Sequence, residues 1–123
     1  MEKKLKRVLI IEDNEANLYL TKFILEKNGY QVLEAREGIQ GLELATKQKP
    51  DLILMDIQLP DIDGLEAVRR IRTSKTGHEI PIVALTSYAM VGDREKALAA
   101  GCTGYIEKPI NPDTFMAEIE KFL

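Results

Sequence analysis

One cysteine, one histidine and no tryptophan occur among the 123 residues, and each scarcity removes a class of chemistry. A lone Cys102 cannot close an internal disulfide, which fits a reducing compartment and makes the cytoplasm the expected location. It reads as a small, part-buried apolar residue. His78 follows Lys75-Thr76-Gly77 in a polar stretch, with no companion for a metal set or a catalytic pair, so it reads as a surface residue. Positive charge is not in excess: 17 Lys and Arg stand against 20 Asp and Glu, and the pI is near 5.3. No nucleic-acid partner is expected of such a chain. Long apolar runs are also missing. The basic start Met1-Glu2-Lys3-Lys4-Leu5-Lys6-Arg7 precedes only Val8 to Ile11 before the acids Glu12-Asp13. That is too short for a signal-peptide core or a membrane span, so no membrane partner is expected. With no Gly-x-Gly and no Walker lysine, nucleotide binding has no support.

What is present is the balance of a globular domain, 45% hydrophobic and 30% charged. No linker, repeat or low-complexity tract divides it. The expectation is a single domain over residues 1–123 with no output domain, so any output comes from the domain's own surface.

Strand-length apolar runs alternate with helix-periodic stretches, the pattern of βαβ units around a parallel sheet. Strands are expected near 7–11, Gln31–Ala35, Asp51–Met55, Ile82–Leu85 and Gly104–Ile106. The run before Asp56 is apolar without alternation, as in a central strand covered on both faces. Helices are expected over Glu15–Lys27, closed by Asn28-Gly29, and over Ile39–Lys47. In the second, Ile39, Leu42 and Ala45 mark one face and Pro50 blocks continuation. After Pro60 and Gly64, a third helix turns Leu65, Val68 and Ile71 inward and Arg69, Arg70 and Arg72 outward to solvent. A fourth spans Asp93–Ala100 and stops at Gly101. The fifth opens on Asn111-Pro112-Asp113 as cap, first-turn proline and acid, and buries Phe115, Ile119 and Phe122.

Four of these strands run into polar residues. Val8–Ile11 meets Glu12-Asp13, Leu52–Met55 meets Asp56, Ile82–Leu85 meets Thr86, and Gly104–Ile106 leads through Glu107 to Lys108-Pro109. Open parallel sheets bind ligands at the carboxyl ends of their strands. The spacing therefore predicts one acidic pocket with a single cation beside it, suited to a hard metal ion and a phosphoryl group.

These residues carry a resemblance that runs along the whole chain. Glu12-Asp13, Asp56 within Met55-Asp56-Ile57-Gln58-Leu59-Pro60-Asp61-Ile62-Asp63-Gly64, Thr86-Ser87 and Lys108-Pro109, in that order on a five-fold βα pattern, resemble the receiver domains of two-component response regulators. Within that family the chain resembles the stand-alone receivers of the chemotaxis and DivK-like kinds. The resemblance implies a flavodoxin-like (βα)5 fold, doubly wound, with strand order 2-1-3-4-5. It implies that Asp56 is the phosphoacceptor, taking a phosphoryl group from a phosphohistidine on a histidine kinase or histidine phosphotransfer protein. Magnesium, with manganese as the alternative, is implied at Asp13, Asp56 and the Gln58 backbone carbonyl, with Glu12 reached through water. Two carboxylates and a carbonyl suit such an ion.

By the same resemblance Lys108 contacts the phosphoryl oxygens, and its bond to Pro109 is cis. Thr86 and Tyr105 form a switch pair. Ser87 is small enough to admit the phosphoryl group, while Gln58 and Tyr88 flank the acceptor and tune how long that group survives. The surface of the fourth helix, fifth strand and fifth helix, with Met90 and Val91 nearby, is the implied face for a downstream effector. The protein is implied to be a monomer or a phosphorylation-dependent dimer. It modifies itself and is not an enzyme with a separate turnover substrate.

Other readings are weaker. An aspartyl phosphatase of the haloacid dehalogenase kind needs a second aspartate where Gln58 stands. A flavin-binding loop after the first strand would be hydroxyl- and glycine-rich, whereas Glu12-Asp13-Asn14-Glu15 repels phosphate. Asp61-Ile62-Asp63-Gly64 is no calcium loop, since Arg70 stands where a carboxylate is required; it reads as a turn closing the site. A receiver that has lost phosphorylation and serves as a scaffold is opposed only by the intact residue set. Three carboxylates together also predict that, without metal, at least one is harder to ionise because its neighbours are charged alike.

Overall fold

The computed structural model describes residues 6–86 and 92–123. Ser87, Tyr88, Met90 and Val91 lie outside the described residues. The elements in order are β1 (Arg7–Ile11), α1 (Glu15–Lys27), β2 (Gln31–Ala35), α2 (Gly38–Gln48), β3 (Leu52–Asp56), α3 (Gly64–Thr73), β4 (Ile82–Thr86), α4 (Asp93–Ala100), β5 (Gly104–Glu107) and α5 (Phe115–Glu120). All strand pairs are parallel, in the order β2-β1-β3-β4-β5. This is the expected doubly wound, flavodoxin-like sheet.

Strand alternation divides the core into two layers. Val8, Ile10, Leu52, Leu54, Val83 and Leu85 pack with Leu18, Leu25, Phe115 and Ile119, which come from α1 and α5. Leu9, Ile11, Ile53, Met55, Ile82 and Ala84 pack with Ala45, Val68, Ile71 and Ala97, from α2, α3 and α4. Both faces of β1, β3 and β4 are therefore dry, which is why their sequences are apolar without interruption.

The registers set the site. Ile11 pairs with Met55, Asp56 with Leu85, and Thr86 with Glu107. Glu12, one step beyond Ile11, keeps its backbone in the ladder by donating to the Ala35 carbonyl at 2.9 Å. Lys108 does the same on the other side, donating to the Thr86 carbonyl at 2.7 Å. The polar residues thus meet at one edge while their backbones remain paired.

The local geometry departs from expectation at three places. Ile39 is exposed; Leu42 and Ala45 do face the core, and the other fully buried positions of α2 are Gly38 and Gly41. Gly41 faces the Ile11 side chain, which fills the space a side chain would take, so the helix buries glycine where periodicity favoured isoleucine. Arg72 does not join the solvated face. Its guanidinium donates to the carbonyls of Gly101 (2.8 Å), Gly77 (2.9 Å) and Ile80 (2.6 Å), and to the Thr103 hydroxyl (3.2 Å). Arg69 and Arg70 do remain outside, paired with Glu66. At the last helix, Asn111 accepts from the Asp113 and Phe115 amides as an initiating turn, and regular helix begins only at Phe115. Phe122 lies beyond that helix, half-buried and packed against Gly104. Cys102 is buried, and burial pushes its thiol up to about 11.

Candidate functional site at the carboxyl edge of the sheet

Side-chain alternation continues past the strand ends and decides who meets whom. Glu12 and Asp56 follow the α1/α5 side, in step with Ile10 and Leu54. Thr86 and Tyr105 fall on the α4 side, in step with Ala84. The acids and the hydroxyls therefore approach the same edge from opposite faces.

Glu12, Asp13 and Asp56 each bring a carboxylate oxygen within 4.8 Å of the others. Glu12 and Asp56 are buried, at 1% and 4% exposure, whereas Asp13 is open to solvent. Lys108 enters from β5 with its side chain 8% exposed, and its ammonium lies 2.5 Å from Glu12 Oε1 and 3.5 Å from Asp56 Oδ1. The peptide bond from Lys108 to Pro109 is cis, as the resemblance implied. Expected as a contact for phosphoryl oxygens, Lys108 is engaged by Glu12 first.

Three carboxylates face one ammonium in a largely dry edge, and Asp56 bears the consequence. Burial is the main cause that pushes its carboxyl up to about 6, and the neighbouring Glu12 adds to it. The Gln58 amide, donating to Asp56 Oδ1 at 3.1 Å, and the Lys108 charge oppose the shift. The expectation of a carboxylate that is harder to ionise holds for Asp56, but desolvation outweighs like-charge repulsion as the reason.

A cavity of about 330 Å³ opens over this group, lined by Asp13, Asn14, Asn17, Asp56, Gln58 and Lys108 together with Glu12. Asn14 and Asn17 were not singled out from the sequence. Asn14 caps α1, its side-chain oxygen accepting from the Asn17 amide at 2.9 Å. An Asn just before a helical period is itself a capping signal, so this neighbour of the acids was readable in principle. Asn17 carried no signal apart from its place one turn later.

The β3–α3 loop closes the near wall. Gln58 and Asp63 form an antiparallel bridge, and the Gly64 amide donates to the Ile57 carbonyl at 2.9 Å. A Cβ at Gly64 would fall 2.6 Å from the Asp56 carbonyl oxygen and from Ile57 Cα, both backbone, so only glycine allows this closure. Asp63 caps α3 by accepting from the Leu65 amide at 2.9 Å.

On the other face Thr86 is buried, and the Tyr105 hydroxyl is enclosed with no well-formed hydrogen bond. Desolvation and then the Asp93 and Glu107 charges push the Tyr105 phenol up, with nearby Thr86 pulling slightly the other way. His78, by contrast, is exposed and touches only its own loop, through the Lys75 carbonyl and Glu79, as its isolation suggested.

The donor set fits a hard cation. Three clustered carboxylate oxygens, one from an exposed Asp13, leave an open side for water. Among the described residues no helix is long and apolar enough to cross a membrane.

Comparison with known proteins agrees with this geometry. The polar-differentiation response regulator DivK of Brucella anthropi is 42% identical over 118 residues, covering 96% of each chain. The receiver domain of a sensor histidine kinase from Pseudomonas aeruginosa, crystallised with magnesium coordinated in its active site cleft, is 37% identical. It covers 97% of this chain and 98% of its own, with a TM-score of 0.89. The chemotaxis protein CheY4 of Vibrio cholerae superimposes with a TM-score of 0.92 at 28% identity, over 98% of this chain and 100% of that one. The response regulator receiver domain family matches residues 8–120. Both by its residues and by its fold, the chain belongs to the response regulator receiver domains of two-component signalling and is similar to DivK.

Proposed function

We propose that the protein accepts a phosphoryl group on Asp56 from a phosphohistidine, and that the aspartyl phosphate switches a partner-binding surface. One observation carries this reading: Asp56 is a buried carboxylate, raised in pKa, at the floor of a polar cavity with a lysine 3.5 Å away. A structural carboxylate at such a position would be satisfied; this one is placed to gain from reaction or from a counter-charge.

In the transfer an Asp56 carboxylate oxygen attacks phosphorus and an O–P bond forms. The P–N bond to the donor imidazole breaks, and its electron pair leaves on the ring nitrogen; the ring leaves as neutral imidazole when its other nitrogen carries a proton, and otherwise takes one from solvent. Lys108 lies close enough to turn from Glu12 toward the new phosphoryl oxygens, as a point charge does readily. Magnesium, when bound, would neutralise the phosphoryl oxygens and orient the attack. Asp13, Asp56 and the Gln58 carbonyl are the residues to hold it, with Glu12 through water and manganese as a substitute. The modification adds a charge of about −1.5 to −2, which Lys108 and the cation absorb. Hydrolysis or back-transfer removes it. The chain therefore modifies itself and turns over no separate substrate.

Thr86 would donate its hydroxyl to a phosphoryl oxygen and release the space around Tyr105. The Tyr105 hydroxyl, enclosed with no well-formed hydrogen bond beyond its weak interaction with Thr86, supports a two-state element there. A cavity of about 280 Å³ lined by Arg94, Leu98, Tyr105, Ile106, Lys121 and Phe122 lies on the α4–β5–α5 face. That face is the proposed effector surface, read in the monomer or in a phosphorylation-dependent dimer. The donor is a histidine kinase or histidine phosphotransfer protein, in the cytoplasm, and the domain acts through its own surface.

Incubation with acetyl phosphate and magnesium, followed by intact mass, tests the reading. Wild type should gain one phosphoryl group only when magnesium is present, and Asp56→Asn should gain none. No gain by wild type, with the donor active on another receiver, would favour a phosphorylation-independent scaffold.

A further inference from the structure

The turn between Asp56 and α3 does more than close the site. Its tip reaches across to a different helix. The Asp61 carboxylate accepts from the Gly38 amide at 2.7 Å and from the Ile39 amide at 2.8 Å, the first two residues of α2. Glu37, which occupies the N-cap position of α2, makes no side-chain cap of its own. The loop therefore supplies the cap that the helix lacks. Ile62 seats beside it: a Cβ at Gly38 would fall 2.5 Å from Ile62 Cγ1, so the glycine opens the seat.

The base of the loop is closed by the Gln58–Asp63 bridge and the Gly64-to-Ile57 hydrogen bond. These backbone ties fall at Ile57, Gln58, Asp63 and Gly64, while the tip is held by the Asp61 side chain. Gln58 thus takes its place from two ends, one of them on a helix that contributes nothing else to the site. Partial desolvation works against the Asp61 charge, but the Ile39 and Gly38 amides outweigh it and hold the carboxyl below its ordinary range. The tether is therefore charged throughout the neutral range.

We infer that Asp61 is a positioning residue for the phosphoacceptor site, tethering the 57–63 loop to the amino end of α2 and so holding Gln58 beside Asp56. This rests on the reading of Asp56 and Gln58 given under Proposed function. Leu59 and Ile62 also pack on the core, so losing the tether loosens the loop and does not unfold it.

The merely structural alternative is that Asp61 only caps α2. Two variants separate them: Asp61→Ala, and Asp61→Ala combined with Glu37→Asp, which gives α2 a cap from its own N-cap position. Two readouts are taken without phosphodonor. The first is amide exchange at Gln58, Gly64 and Gly41 in metal-free protein, where Gly41, bonded to the Glu37 carbonyl, reports on α2. The second is magnesium affinity by NMR titration. In Asp61→Ala all three amides should exchange faster. In the double variant Gly41 should recover while Gln58 and Gly64 stay fast, and magnesium affinity should remain about 10-fold weaker, the low end for residues that orient ligands.

Full recovery of Gln58 and Gly64 in the double variant would overturn the inference, because capping alone would then explain Asp61. So would unchanged exchange at Gln58 and Gly64 in Asp61→Ala. A wild type that binds no magnesium would instead overturn the metal in the proposed function, with the exchange comparison still deciding the tether.

Discussion

Two clusters of charged side chains, built from the same residue types, sit on this domain and behave in opposite ways. On the surface between α1 and β2, Lys22 meets Glu34 at 2.7 Å, and Arg36 bridges Glu34 at 3.5 Å and Glu15. At the sheet edge, Glu12, Asp13 and Asp56 share one Lys108. The surface network has two cations for two anions, and every shift favours the charged form. The hydrogen bond to Arg36 lowers Glu15, and the same bond raises Arg36, while Glu34 raises Lys22. The edge cluster is short of cations and largely dry, and it makes Asp56 resist ionisation. Charges that are paired and wet are settled. Charges that are crowded and buried hold free energy in reserve, which a phosphoryl group or a cation can draw on.

The sharpest way to break this contrast is to remove the one cation of the edge cluster, Lys108. Lys108→Met should destabilise the fold by about 3–5 kcal/mol near neutral pH, the usual cost of stranding buried charge. The loss should shrink as pH falls and the carboxyls protonate. Urea denaturation at several pH values measures both; a pH-independent loss would mean that Lys108 acts by packing.

Next in size is Asp56→Asn, with the opposite sign. A carboxyl whose folded pKa lies above its unfolded value contributes stability that is complete below the unfolded pKa, near 3.8, and is lost as pH rises through about 6. The metal-free wild type should thus lose about 2–3 kcal/mol between pH 4 and pH 8 from this group. An amide at this position does not titrate, so the Asp56→Asn variant should be the more stable protein at about pH 8. Saturating magnesium should narrow the gap by stabilising wild type, through binding the native state. Equal pH profiles for the two proteins would show that Asp56 is not raised.

Another cation, Arg72, sharpens the comparison because it is half-buried yet forms no ion pair among the described residues. Desolvation pulls Arg72 down, and it donates to three carbonyls and a hydroxyl. Arg72→Met should cost about 2 kcal/mol, as several charged hydrogen bonds are lost while the carbonyls regain water. The change should depend little on salt. A cost that vanishes in high salt would argue for a long-range charge effect instead.

The smallest effect belongs to the surface network. Arg36→Ala should shift the urea midpoint slightly at low salt and not detectably at high salt, since exposed pairs are screened and contribute little. A shift as large as that of Lys108→Met would erase the distinction between the two clusters.

Much of this is legible along the chain. The β/α alternation and the polar residues after each apolar run place Glu12, Asp13, Asp56, Thr86 and Lys108 at one edge, because a parallel sheet brings equivalent strand ends together. Arg72 is where the pattern misleads: on a helical wheel it resembles Arg69 and Arg70, and nothing in the sequence signals the carbonyls of the 77–80 and 101–103 turns that it reaches. Ile39 misleads in the other direction, because periodicity counts hydrophobicity and not space. Gly41, against Ile11, holds the inward position.

The sequence by itself determined the order of elements, the two dry faces of the sheet and the identity of the residues at its edge. Those follow from local pattern and from the geometry of parallel strands. Only the tertiary structure decided how those residues are matched: Lys108 to Glu12 before Asp56, Asp61 to the amino end of α2, and Tyr105 enclosed beside Thr86. Such pairings depend on distances between segments far apart in the chain and on how much water remains between them. Neither quantity is written in any one stretch of sequence.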